Sequence, residues 1–154
     1  MDSKLNIDKT DIQILQIIQE DSKIAYKDIA QKLDISLGTV HVRIKKLESM
    51  NVIKDFTVNL DYFQLGYELM AFIGLIINGK QADKVIKALE KVPEIAELHH
   101  TTGGYHMLAK IICKNTHVLR NIIIHKINSI EGIEKTETIV SLAELFHRKI
   151  QIEE

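Results

Sequence analysis

Residues 26–50, YKDIAQKLDISLGTVHVRIKKLESM, decide the fold of the N-terminal part of the chain. Ile29, Ala30 and Leu33 share one face of a helix over about 26–33, and Val40, Ile44 and Leu47 share one face of a second over about 37–50. Only Asp34, Ile35 and Ser36 separate them. Ser36 suits the N-cap of the second helix, its hydroxyl accepting a backbone N–H of the first turn. Asp34 stands where the chain must leave the first helix sharply, and Asp tolerates the left-handed region better than most residues. Asn51 follows the second helix, where a left-handed cap prefers Gly and then Asn. The stretch reads as a compact helix-turn-helix.

Working outward, Asp8 is a good N-cap for an earlier helix, with Asp11 at its N3 position and an apolar stripe of Ile12, Ile14, Leu15 and Ile18. Beyond Asn51, Val52 to Leu60 alternates enough (Ile53, Phe56, Val58, Leu60) to predict the strand of a wing. Residues 1–60 therefore form a winged helix-turn-helix domain, and residues 61–68, with Gly66 among them, are expected to be a linker.

The remainder, 69–154, has a different rhythm. Leu69 to Ile77 is an apolar strand, and Gln81 to Val92 a helix with Val85, Ile86, Leu89 and Val92 inward and Pro93 as its stop. Ile95 to Thr102 and Tyr105 to Cys113 are strands joined at Gly103-Gly104. Asn115 caps a helix rich in Ile that Gly132 closes, and Ile133 to Leu142 is a last strand. The order β-α-β-β-α-β is the ferredoxin-like split unit, an antiparallel sheet with two helices on one face. The fold class is α+β. Strands one and three are apolar on both faces, so the sheet face without helices needs a partner, most simply a second copy about a two-fold axis. A dimer is expected.

Composition bounds the partners. Apolar residues are 45% of 154, charged residues 27%, and Pro occurs once, which suits a folded chain rather than a disordered one. The longest apolar stretch, Leu69 to Ile77, is less than half a membrane span, and no basic-then-apolar leader opens the chain, so no membrane association is expected. Cys113 stands alone, cannot form an internal disulfide and suits a reducing compartment, so the expected location is cytoplasmic. A net charge of −1 excludes a general cationic coat but leaves room for a local basic patch.

That patch lies on the second helix of the helix-turn-helix. From Thr39 to Lys54 the basic residues are Arg43, Lys45, Lys46 and Lys54, against Glu48 alone. With Val40, Ile44 and Leu47 inward, the opposite face carries Gly38, His41, Val42, Lys45 and Lys46, flanked by Thr39 and Arg43. In the major groove of double-stranded DNA, Lys45 and Lys46 would meet phosphates. Thr39, His41 and Val42 would meet base edges, while Gly38 would admit the backbone closely. Exposed lysines also simply solvate a helix face.

Taken together, the chain resembles the leucine-responsive/asparagine-synthetase regulator family (Lrp/AsnC, the feast-famine regulators). The matching residues are Ile7-Asp8-x-x-Asp11-x-x-Ile14-Leu15, Ile29-Ala30 and Ile35-Ser36-x-x-Thr39-Val40-x-x-Arg43-Ile44-x-x-Leu47-Glu48-x-x-Asn51-x-Ile53. In the second half they are Thr102-Gly103-x-Tyr105 and Gly132-Ile133-x-x-Thr136-x-Thr138. The resemblance implies a transcriptional regulator that binds DNA through Ser36, Gly38, Thr39, His41, Val42, Arg43, Lys45 and Lys46. It implies dimers, four of them in a ring, and a small effector, typically an amino acid, bound near the Gly103 turn and the fourth strand.

Gly103 and Gly104 could turn backbone N–H groups toward a carboxylate, Tyr105 could supply a wall or a hydroxyl, and Thr136 and Thr138 could supply hydroxyls. The same residues also read as a plain hairpin and ordinary strand formers. Two positions depart from the family pattern: His106 stands where an acidic residue follows the aromatic, and Ala25 where Ser or Thr caps the second helix. No metal, cofactor or catalytic residue is expected. The histidines lack ligand spacing, and no nucleophile elbow, phosphate loop or dinucleotide fingerprint is present. The alternative is an enzyme resembling the siroheme decarboxylases, which share the architecture.

Overall fold

The computed structural model describes residues 6–153. By their contacts, 6–59 and 146–153 form one compact unit and 60–145 a second. The first holds α1 (Lys9–Glu20), α2 (Tyr26–Leu33) and α3 (Leu37–Ser49). Its core is Ile14, Ile18, Ile29, Ala30, Val40 and Ile44, the stripes expected from helical spacing. Asp34 and Asn51 both adopt left-handed backbone, at φ 52° and 54°, and so end α2 and follow α3 as the turn chemistry requires.

Two corrections to the sequence reading belong to this unit. Residues 52–60 form no strand, and Phe56, Val58 and Leu60 are exposed. An alternating segment becomes a strand only beside another, and among the described residues this unit holds no strand for it to pair with. The expected C-terminal domain reached residue 154, yet 146–153 lies with the helices. Side chains of α1 hold its backbone: Gln16 donates to the Ile152 carbonyl at 2.8 Å and Gln19 to the Ile150 carbonyl at 3.0 Å, while Lys149 donates to the Gln19 carbonyl.

One buried charge ties α1 to α3. The Asp8 carboxylate accepts the Asp11 N–H at 2.9 Å and Asp11 accepts the Asp8 N–H at 3.1 Å, a reciprocal cap. Asp11 has no solvent exposure. Its Oδ1 accepts from Arg43 Nη1 at 2.7 Å and its Oδ2 from Lys46 Nζ at 2.6 Å. Burial pushes the Asp11 carboxyl up, but the bonds from Lys46, Arg43 and the Asp8 backbone outweigh it and hold it below the ordinary range.

The second unit runs β1 (Leu69–Ile77), a 3-10 turn (Gly79–Gln81), α4 (Ala82–Leu89), β2 (Ile95–His100), β3 (Met107–Cys113), α5 (Thr116–Asn121) and β4 (Ile133–Ser141). The sheet order is β2-β3-β1-β4, with every pairing antiparallel. Ala71, Ile73, Leu75 and Ile77 alternate onto the helix side and pack with Val85, Leu89, Leu119 and Ile127. The last helix is not α throughout: it widens into a π turn over Ile122–Ile127. That turn lets Ile122 and Ile127, five residues apart, both reach the core. Cys113 is buried in this core, and burial pushes its thiol up. No helix among the described residues is long and apolar enough to cross a membrane.

Two stability measurements follow from the first unit. Ala25 has the extended backbone of an N-cap but gives α2 no side-chain bond, so Ala25→Ser should add about 0.5–1 kcal/mol to urea unfolding. Asp11→Asn should cost on the order of 3 kcal/mol at pH 7, because Arg43 and Lys46 lose their buried counter-charge. The folded carboxyl lies below its unfolded value of about 3.9. Its stabilisation is therefore present above that value and lost as pH falls through the folded one. The gap between parent and variant should accordingly narrow at about pH 3, and unfolding curves at both pH values check it.

Candidate DNA interface and effector site

α3 presents its outer face in three parts. At its start, Ser36 Oγ accepts the Thr39 N–H at 3.0 Å and shares a 2.8 Å hydroxyl contact with Thr39 Oγ1. A Cβ at Gly38 would meet only Ser36 Oγ, at 3.7 Å, so the helix start is unobstructed. In the middle, Val42 is 69% exposed, and His41 is exposed with its ring edge-on to Tyr26, centroids 4.8 Å apart. Lys45 is exposed and, among the described residues, has no acidic partner.

Arg43 and Lys46 turn the other way. Lys46 is committed to buried Asp11, and Arg43 Nη1 reaches Asp11 at 2.7 Å and the two oxygens of Asp8 at 2.8 and 2.7 Å. The Arg43 bond holds Asp8 below the ordinary carboxylate range, and the two carboxylates hold Arg43 above its own. The basic cluster seen in sequence is thus half neutralised within the unit. Sequence spacing does not carry this, because the two acids lie more than thirty residues upstream of their partners.

The six effector candidates do not converge. Gly103 has φ 106°, a conformation that favours Gly, and the hairpin is closed by Thr101, whose N–H donates to the His106 carbonyl and whose hydroxyl donates to the Tyr105 carbonyl. Gly104 completes the turn with an unobstructed Cβ position. The Tyr105 ring lies on Gly74, where a Cβ would come within 2.5 Å of it. Glu137, opposite Gly74 in the β1–β4 register, is the acid that raises the Tyr105 phenol, through hydrogen bonding first and charge after it. His106 extends the ladder: its N–H donates to the Leu75 carbonyl and its Nδ1 accepts the Ile77 N–H at 3.0 Å. That nitrogen therefore serves the protein's own backbone.

Thr136 and Thr138 pair with Leu75 and Ile73, residues of the helix side, whereas Glu137 and Tyr105 share the side without helices. Thr136 donates to Asn128 Oδ1 at 3.0 Å, beside the π turn. Two residues missed in sequence, Glu137 and Asn128, are therefore the polar partners of two that were named. The alternation of strand β4 carried the signal for Glu137, which sits between the two threonines. On the side without helices, Glu97 lies between Lys110 at 3.0 Å and His99 at 3.3 Å, and Lys110 above all holds it below the ordinary range. Among the described residues, no group of three or more His, Cys, Asp or Glu is placed to hold a metal ion.

Residues 7–54 match the winged helix-turn-helix DNA-binding family and residues 70–150 the Lrp/AsnC ligand binding domain. The chain is 35% identical over 147 residues to the regulatory protein AsnC of Haemophilus influenzae, covering 95% of this chain and 98% of that one. It is 32% identical over 146 residues to AsnC of Escherichia coli K12, covering 94% and 96%. The structure of E. coli AsnC matches with a TM-score of 0.89 at 31% identity, over 95% of this chain and 99% of that one. A transcriptional regulator of Neisseria meningitidis, solved as its L-Met complex, shares the fold with a TM-score of 0.86 at 22% identity, over 95% and 96%. The matched AsnC relatives are regulatory proteins, not enzymes, which removes the decarboxylase alternative. With both halves of the chain matched, it belongs to the Lrp/AsnC family of DNA-binding transcriptional regulators and carries that family's ligand-binding domain.

Proposed function

We propose that this regulator reads a pseudo-palindromic duplex as a dimer and changes its affinity when an amino acid binds the second unit. The observation that carries the DNA reading is the outer face of α3, where Thr39, His41, Val42 and Lys45 stand together with Gly38 leaving the helix start open. Lys45 meets a phosphate, while Val42, His41 and Thr39 reach base edges, Val42 suiting a thymine methyl. Ser36 and Gly38 bring the backbone close, and Arg43 and Lys46 border this surface. A single module makes a short contact, so a second copy one helical turn or more away is needed for tight binding.

The sheet supplies the reason to pair. Met70, Phe72 and Ile76 of β1, Leu108 and Ile112 of β3 and Ile139 of β4 share the side that carries no helix, and Ile139 is 48% exposed. An apolar face of this kind is stabilised by a second copy of itself. Four such dimers in a ring is the assembly that the family resemblance implies. For the effector, the reading rests on the Gly103-Gly104 turn offering N–H groups to a carboxylate, with Tyr105 and His106 directly after it; Thr136 and Thr138, on the helix side of the sheet, stand apart from that turn. The L-Met bound by the Neisseria protein supports an amino acid as the ligand class.

Lys45→Ala should weaken binding evenly across sequences and flatten the salt dependence of log K by about one counter-ion per protomer. Val42→Ala should instead change which site is preferred, and an unchanged preference would place the reading face elsewhere. Mobility shifts on the chain's own upstream region, across a salt series with and without a pool of the twenty amino acids, test both halves. A shift indifferent to the pool overturns the amino-acid effector. For the dimer, the parent should sediment as a dimer at micromolar concentration and Phe72→Asp as a folded monomer; a monomeric parent overturns it.

A further inference from the structure

Arg43 makes two ion pairs of opposite character. Its partner Asp11 is wholly buried, with one carboxylate oxygen on Arg43 and the other on Lys46, so breaking that contact would strand a charge away from water. Its other partner, Asp8, is 51% exposed and offers both oxygens to the same nitrogen, Nη1. Such a pair is in contact with solvent and gives up little when one carboxylate is exchanged for another anion. All three bonds use Nη1, and a guanidinium carries five N–H donors, so donors remain for a further acceptor. Arg43 also lies on the flank of α3, beside the face expected to read bases. Phosphates line both sides of a groove-bound helix.

We propose that Asp8 is an internal stand-in for a DNA phosphate: it holds Arg43 in the free protein, and a duplex phosphate takes its place on Arg43, which keeps its bond to Asp11 throughout. Asp8 is thus a positioning residue that keeps Arg43 pointed and extended while moderating affinity for any stretch of duplex. Its N-cap bond to the Asp11 N–H needs an acceptor oxygen, which an uncharged Asn also supplies. The inference rests on α3 entering a duplex.

Asp8→Asn separates the two roles, because Asn caps a helix as well as Asp does but carries no charge. The measurement is equilibrium binding of the full-length protein to a mixed-sequence duplex several helical turns long, over a salt series. Glu20→Gln is the control: it removes the same charge from the far end of α1, a helix of 12 residues and hence about 18 Å, beyond the Debye length at physiological salt. Asp8→Asn should bind about two- to fivefold more tightly per protomer at low salt, with log K falling more steeply by about one counter-ion per protomer. Asp8→Glu should behave as the parent. In an Arg43→Gln background, Asp8→Asn should bring no further gain.

Three results overturn the proposal. Lower thermal stability of Asp8→Asn with affinity and salt slope unchanged makes Asp8 a strut only. Equal effects of Asp8→Asn and Glu20→Gln reduce it to the general field of the domain. Binding by neither parent nor variant removes the proposal together with the reading of α3 on which it stands, whereas a parent that binds with an unresponsive Asp8→Asn removes the proposal alone.

Discussion

A carboxylate without access to water stays charged only beside cations held to it by hydrogen bonds, and Asp11 has two. That requirement fixes where α3 lies against α1, because Arg43 and Lys46 are one turn apart on α3 and must both reach a single side chain. The reciprocal cap adds a second constraint, holding Asp8 and Asp11 on the same turn. The apolar residues Ile14, Ile44 and Val40 would tolerate small rotations of the helices, since apolar contact has no direction. The ion network would not. The orientation of α3 is set by polar geometry laid over a hydrophobic core.

This arrangement shows what can and cannot be read from a sequence. Stripes at helical spacing located the three helices, and Asp34 and Asn51 marked the left-handed positions, because each such signal is local. The β-α-β-β-α-β order was equally legible, since alternation and turn residues lie within a few positions of one another. The wing strand over 52–60 failed because alternation describes a strand's faces and says nothing of its neighbour. The tail over 146–153, expected with the sheet, groups by its contacts with the helices for a related reason: Gln16 and Gln19 bind its carbonyls, and a backbone contact leaves no trace in side-chain pattern.

The candidate sites divide along the same line. Helix periodicity turned Thr39, His41, Val42 and Lys45 outward in agreement with their exposure, Thr39 being only partly exposed. It also gave Arg43 and Lys46 to the solvent-facing patch, since their acidic partners sit on another helix. In the second unit, Thr136 and Thr138 are grouped with Tyr105 because the family resemblance implies an effector near the glycine turn and the fourth strand, two places that β1 separates in the sheet. The pairing register separates them, setting the threonines on the helix side and Tyr105 against Gly74 and Glu137 on the other. A glycine at 74 is what admits that ring, and Tyr105 fills the space its missing side chain leaves.

The charge balance of the first unit has a consequence for how a regulator of this family discriminates among sites. Non-specific affinity for DNA grows with the number of phosphates neutralised, and it grows for every sequence alike. Of the three cations on α3, two are engaged by Asp8 and Asp11, which leaves Lys45 as the one without an acidic partner among the described residues. On the proposed dimeric reading, a module so lightly charged gains little from phosphates alone, and a larger share of its binding comes from base edges and from the second copy. Both of those terms depend on sequence and spacing, whereas the phosphate term does not. On that reading internal neutralisation trades affinity for discrimination, and the acids that fix α3 in place are also those proposed to restrain what it binds.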